Sequence, residues 1–186
     1  MSTIETIKMT AEQFRQLGED PPGVRLELVE GDIRVSPSPT HEHAYTLSRL
    51  LRILGNYIEL HDLGVIMSDT DHELTSWTVR RPDLYFFSKE RMNLIETPIR
   101  HPPDLAVEVI SEGSVRTDRK EKFAAYQDFG IGHYWLVDPL RRTADAFRLK
   151  KRKYVAAGSG KGNDTVKFPP FEDLTIALRE LWWPPK

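Results

Sequence analysis

Apolar and polar residues alternate on both sides of a Glu-Gly-Asp turn in "VRLELVEGDIRVSPSP" (24–39), a pattern that predicts a β-hairpin whose second strand is closed by prolines. Ahead of it, "TAEQFRQLG" (10–18) joins a Thr N-cap to a Gln three residues later and a Gly stop, which predicts a short helix. From about 42 to 60, Leu47, Leu50, Leu51, Leu54 and Ile58 recur at helical spacing and predict the longest helix of the chain. The runs "LGVIMSDTDHELT" and "TVRRPDLYFF" read as two or three strands, with "DTDHE" (69–73) as a hairpin turn that lacks the Gly and distal Glu of a calcium loop. "DLAVEVIS" reads as a strand, "SVRTDRKEKFAAYQDFG" as a helix stopped by Gly130, and "HYWLVDP" as a strand stopped by Asp-Pro. The remainder predicts a meander of short strands around a Gly-rich turn at 158–162, whose "GSGKG" lacks the spacing of a nucleotide-binding loop. The order of elements predicts a mixed α/β protein built around one sheet.

Composition narrows the classes. With 186 residues, 39% apolar and 29% charged, the chain is expected to form one domain over 1–186 with a sizeable core. No apolar run approaches the roughly 18 residues that span a bilayer, and "MSTIETIKMTAEQF" lacks the apolar core of a signal peptide, so a cytoplasmic location without membrane contact is expected. The absence of cysteine excludes disulfides, thiolate zinc and cysteine nucleophiles, which leaves any metal to oxygen or imidazole ligands. A net charge of −2 argues against coating nucleic acid by bulk electrostatics. Two basic clusters, "VRTDRKEK" (115–122) and "RLKKRK" (148–153), leave room for a local basic surface; the competing reading is a solvated face.

Pro-Asp-Leu occurs twice, at 82–84 and 103–105, each time at the mouth of an apolar run. In the second run Asp104, Ala106 and Glu108 share a strand face, yet Asp104 and Glu108 stand about 13 Å apart at ~3.3 Å per residue. They cannot both approach one Mg²⁺ to about 2.1 Å. Asp83 can share an ion with Glu108 if the two strands are neighbours, at ~4.8 Å, so Asp83 is the candidate ligand and Asp104 a turn residue that opens a strand. Glu108 interrupts an otherwise buried run; it is either an inward functional carboxylate or a residue on an exposed or Arg-paired face. Asp118, Lys122 and Tyr126, at i, i+4 and i+8, form one stripe of the following helix, either turned toward Glu108 or forming a surface salt bridge. Glu27 in "LEL" is likewise either a third inward carboxylate or a solvent-facing strand residue, and "HEH" (41–43) is a His-x-His pair at a helix start.

Taken in order, "RLELVEGDIRVSPSPTHEHAYTLSRLLRIL", "RRPDLYFF", "PDLAVEVIS" and "DRKEKFAAYQDFGIGHYWLVDP" resemble the Uma2 family, a bacterial group first filed as a domain of unknown function, DUF820, within the PD-(D/E)-x-K nuclease superfamily. The resemblance runs from about 10 to 183 and includes "FEDLTIALRELW". It implies a restriction-endonuclease-like fold, with a mixed β-sheet flanked by helices and additional antiparallel strands. It also implies a metal-dependent endonuclease that hydrolyses phosphodiester bonds in DNA. Asp83 matches the superfamily's PD aspartate, Glu108 its second acid, and Glu27 the carboxylate of the family's Glu-Leu-x-x-Gly opening. Lys122 matches the family's helix lysine, with Asp118 and Tyr126 around it, and His43 matches its histidine as a residue lining the site. The chain departs from the superfamily pattern at Ile110, where the strand lysine would stand, so the charge moves to Lys122. The resemblance further implies Mg²⁺ or Mn²⁺ held by Asp83, Glu108 and the Val109 carbonyl, with Lys122 orienting water or stabilising developing charge and Glu27 holding a second ion or orienting the first set of ligands. The alternative is a catalytically inactive relative that binds nucleic acid or protein through the same fold. A homodimer is expected, with the Trp-rich "ELWWPP" as its candidate contact.

Overall fold

Residues 8–183 are described by the computed structural model. The opening "MSTIETI" and the closing Pro-Pro-Lys, which bear on the expected leader-free start, the 1–186 domain and the dimer contact, lie outside the described residues.

Thr10 accepts from the Gln13 amide while its own N–H donates to the Gln13 side chain, a capping box that starts helix α1 (Ala11–Arg15). The alternating stretch forms the expected hairpin of β1 (Val24–Val29) and β2 (Asp32–Pro37), turning at Glu30 and Gly31, which both have positive φ as a tight hairpin turn requires. Helix α2 (His41–Leu60) is capped by the Thr40 hydroxyl and buries Leu50, Leu54 and Ile58 along one stripe.

Among the described residues the strands form three sheets, a mixed one with additional antiparallel strands as expected. The larger, six-stranded sheet has the order β10 (Lys153–Lys161), β9 (Thr143–Lys150), β8 (His133–Asp138), β7 (Leu105–Val109), β6 (Leu84–Ser88) and β3 (Gly64–Met67), with β7 and β8 parallel and the other pairs antiparallel. A four-stranded sheet has the order β2, β1, β5 (Thr78–Arg80) and β4 (His72–Thr75). The third is the pair β11 (Thr165–Phe168) and β12 (Phe171–Ala177). The segment expected to be a hairpin turn at 69–73 instead carries the chain from β3 in one sheet to β4 in another. The expected Gly-rich turn at 158–162 is strand through Lys161. Gly158 and Gly160 serve close packing there, since a Cβ on Gly158 would lie 2.8 Å from the Phe168 ring and one on Gly160 2.5 Å from Val166.

The six-stranded sheet has different partners on its two faces. Leu84, Phe86, Leu105, Val107, Trp135 and Val137 pack against α2 and the β11–β12 pair. Ala106, Ile110, Tyr134 and Leu136 pack on the opposite face against Tyr126 of α3 (Phe123–Phe129) and Ile131. The segment expected as one helix from 115 begins as a π-helical turn, Thr117–Lys122, that runs into α3 and ends at left-handed Gly130. Among the described residues no helix is long and apolar enough to cross a membrane.

Candidate active site

Pro82 brings the chain extended into β6, and Asp83 is the residue just before that strand. Leu84 pairs with Val107, so one step of the same antiparallel register sets Asp83 opposite Glu108. Residues opposite one another on neighbouring strands share a face, here the face that α3 covers. Asp83 Oδ2 accepts from the Val109 N–H at 2.8 Å and Asp83 lies against His43 Nε2 at 3.1 Å. Arg25 Nη1 donates to Asp83 Oδ1 at 3.2 Å.

Glu108 is buried within β7, and both of its oxygens face the helix. Lys122 Nζ donates to Oε2 at 2.8 Å, and the Tyr126 hydroxyl donates to Oε1 at 2.7 Å. Lys122 is itself buried, 3.7 Å from Glu27 and 3.6 Å from Asp118. The wider π-helical turn carries Asp118 and Lys122 together toward the sheet. Ile110, where a strand lysine would stand, packs in the apolar cluster with Tyr126 and Ile131. The ammonium that meets Glu108 therefore comes from the helix.

Glu27 is buried too, because alternation in β1 turns Leu26 and Leu28 toward α1 and Arg25 and Glu27 toward the site. Its oxygens accept from Arg80 Nη1 at 3.0 Å and from the Arg81 N–H at 2.9 Å. Arg25, Glu27, His43, Asp83, Glu108, Val109, Asp118 and Lys122 all line one cavity of about 280 Å³. Tyr126 contributes from beneath, through Glu108. Asp104 lies elsewhere, accepting from the Ser88 N–H at 2.7 Å and pairing with Arg91.

The charges in this cavity shape one another. Burial alone would raise Asp83, but the contact with His43 and the charges of Lys122 and Arg25 hold it well below the usual carboxylate range. Burial likewise raises Glu27, and Lys122, Arg80 and the Arg81 N–H outweigh it, so Glu27 is lowered. Burial dominates at Glu108; with Asp83 and Asp118 nearby it is pushed well above the usual range despite Lys122. Asp118 is raised for the same leading reason. Burial would lower Lys122, yet Glu108, Glu27, Asp118 and Asp83 raise it and keep it protonated. Buried ionic networks of this kind cost more desolvation than they return in stability unless well paired, and perturbed groups gather at functional sites.

Two participants escape a reading of the sequence, Arg25 and Arg80. Arg25 could be read from alternation, two residues before Glu27 on the same strand face; Arg80 is the first residue of "RRPD".

The sequence profile of the Uma2 family, described as "Putative restriction endonuclease", matches residues 11–179. This chain belongs to the Uma2 family. Its fold is shared with a solved structure from Anabaena variabilis, titled a "putative nuclease belonging to DUF820". That protein is 20% identical, with a TM-score of 0.76 over 94% of this chain and 97% of that one. No curated protein matches the sequence. The Uma2 match spans all the cavity residues, from Arg25 to Lys122.

The donor set fits a divalent ion of the Mg²⁺ type in one form only. Among the described residues no three Asp, Glu or His side chains surround a common point as a metal cage would need. Mg²⁺, however, is held by one or two carboxylates plus waters and substrate phosphates. The opposed Asp83 and Glu108 fit that pattern, and among the described residues the buried Asp118 Oδ1 has no hydrogen-bond partner. Glu27, Asp83, Glu108 and Asp118 gather in the cavity beside Arg25 and Lys122, and a divalent cation among them would favour the ionised forms of Glu108 and Asp118 that burial now opposes.

Proposed function

We propose that this chain is a metal-dependent endonuclease that hydrolyses phosphodiester bonds in DNA, with Asp83, Glu108 and the Val109 carbonyl holding Mg²⁺ or Mn²⁺. The observation that carries the reading is Lys122, a buried ammonium 2.8 Å from Glu108 in the same cavity as Asp83 and Glu27. The ion, when bound, would polarise the phosphate and lower the pKa of its water. Lys122, kept protonated by its carboxylates, stabilises negative charge developing on the phosphate or orients the attacking water. Tyr126 fixes the orientation of Glu108, and His43 and Arg25 fix that of Asp83. The Arg25 side chain is 27% exposed while Lys122 and Arg80 are buried, which makes it the cation of the cavity best placed to meet a phosphate. Glu27 holds Arg80 and the Arg81 backbone and sets the far wall. A homodimer through exposed Trp183, packed edge-on by His41 and Tyr45, belongs to the same proposal.

A second reading, an inactive binding module, is favoured by one feature: every oxygen of Asp83 and Glu108 already accepts from a protein donor or lies against one. Nicking of supercoiled plasmid separates the two. The endonuclease reading expects nicking with Mg²⁺ or Mn²⁺, none in EDTA, and none by Glu108→Gln. Folded wild-type protein that binds plasmid and leaves it intact with either metal would select the inactive module.

A further inference from the structure

The second basic cluster of the sequence lies at the end of the six-stranded sheet far from the carboxylate cavity. Glu108 stands level with Leu136 of β8 and Asp145 of β9, whereas the β9–β10 turn lies about 17 Å further along β9, at ~3.3 Å per residue. From Thr143 to Lys161 the hairpin carries Arg148, Lys150, Lys151, Arg152, Lys153 and Lys161 against the single acid Asp145. That is a net +5 in a chain of net −2, so the remainder of the protein is −7. The hairpin is the positive pole of an otherwise acidic molecule.

Three details set it apart from an ordinary solvated face, where charges of both signs intersperse. Lys150, Lys151, Arg152 and Lys153 are all exposed, and none forms an ion pair among the described residues. Lys150 and Lys153 sit directly opposite one another in the register, a like-charge cross-strand pair that the fold leaves unrelieved. The two turn residues, Lys151 at φ 48° and Arg152 at φ 63°, occupy left-handed positions where Asn-Gly is the favoured pair. Cations therefore stand where neither turn geometry nor cross-strand electrostatics favours them.

The ribbon is also held firmly. The Tyr154 N–H donates to Gln127 Oε1 at 2.9 Å and its hydroxyl donates to the Ile131 carbonyl at 2.9 Å, which ties the strand just behind the turn to α3 and to the residues that follow it. Beside it, Arg148, Lys150 and Lys167 line a shallow hollow of about 340 Å³, with Glu172 paired to Arg148. A two-stranded ribbon with a rigid basic tip has the dimensions to enter the major groove or to straddle a backbone.

We infer that the β9–β10 hairpin is a docking ribbon for the phosphate backbone of duplex DNA, separate from the carboxylate cavity. The choice of DNA among polyanions rests on the endonuclease reading; the charge argument does not. Binding of a short labelled duplex is followed by fluorescence anisotropy in EDTA, so that no cleavage intervenes, across a series of salt concentrations. Two variants are compared with wild type. Lys151→Asn with Arg152→Gly removes two charges while giving the turn its favoured residues, so a loss of binding cannot be ascribed to a damaged hairpin. The second variant adds Lys150→Gln and Lys153→Gln. The expected result is affinity reduced in steps, by roughly tenfold or more for the fourfold variant, with a slope of log K against log salt shallower by about 0.9 for each lost phosphate contact. Wild-type affinity and slope in the fourfold variant would overturn the inference, as would a wild type that does not bind duplex at all. Hairpin-dependent binding without metal-dependent nicking would keep the ribbon and remove the endonuclease reading. Nicking with hairpin-independent binding would do the reverse.

Discussion

At the scale of single residues, the candidate site is a set of buried charges that compensate one another. Lys122 is the hinge of that set, because it alone contacts Glu108, Glu27 and Asp118. Lys122→Met keeps the length of the stem and removes the charge. It is expected to abolish metal-dependent nicking and to cost about 3 kcal/mol of stability at neutral pH, the usual scale for breaking a buried ionic pair. Urea denaturation checks the second part: the deficit should shrink as pH falls, since protonated Glu108 and Asp118, both already raised, need no cation. A variant with wild-type nicking would remove Lys122 from the mechanism. Arg119, on the same π-helical turn, turns away from the cavity, pairing with Asp145 at 3.2 Å and lying 3.9 Å from Asp138. Strand alternation and helical spacing, which are local rules, raise Asp83, Glu108, Lys122 and Glu27 as candidates in the sequence, and the resemblance to the Uma2 family chooses between their open readings. Alternation alone places Arg25 on the face of Glu27, but what Arg25 and Arg80 contact depends on the pairing of β1 with β5, and on a sheet assembled from segments some 50 residues apart.

At the scale of elements, the two larger sheets meet at His72. It opens β4 of the four-stranded sheet, is fully buried, and packs edge-on against Tyr85 of the six-stranded sheet with ring centroids 4.4 Å apart. Among the described residues neither ring nitrogen has a hydrogen-bond partner, and burial lowers its pKa to about 3 from 6.5. The unfolded chain therefore takes up this proton first as pH falls. The stability tied to neutral His72 is complete above pH 6.5 and is lost progressively between 6.5 and 3. At about pH 5.5 the loss amounts to ~1.4 kcal/mol, before the lowered carboxylates Glu27 and Asp83 begin to contribute. His72→Phe retains the edge-on ring and should flatten the urea midpoint between about pH 7 and pH 5.5; an unchanged pH dependence would show that the sheet junction does not govern acid sensitivity. Hydropathy shows little of this junction. Alternation identifies each strand and its buried face, but not which sheet the strand joins, so β3 and β4 read as a hairpin although they separate. The Gly-rich stretch of β10 misleads for a similar reason: glycines that admit Phe168 and Val166 look the same in sequence as glycines that turn. The π-helical turn at Thr117–Lys122, "TDRKEK", holds no apolar residue, so no hydrophobic periodicity distinguishes it from the α-helix that follows.

At the scale of the whole molecule, two features of opposite charge lie at opposite ends of one sheet. The cavity gathers carboxylates where β6 and β7 meet the π-helical turn, and the β9–β10 hairpin gathers cations at the other end. A net charge near neutrality conceals that separation, which appears only when residues are placed on the fold. The family and the outline of the fold could be read from the order of motifs, since that order persists where each motif alone is short. Whether the acidic end holds a metal is the claim on which the endonuclease reading depends. The most direct measurement is an anomalous difference map from a crystal soaked in Mn²⁺. The expected result is a peak between the carboxylates of Asp83 and Glu108, within bonding distance of the Val109 carbonyl, with Arg25 displaced from Asp83. A map with Asp83 still paired to Arg25, and manganese only at exposed acids such as Asp69 or not at all, would contradict it.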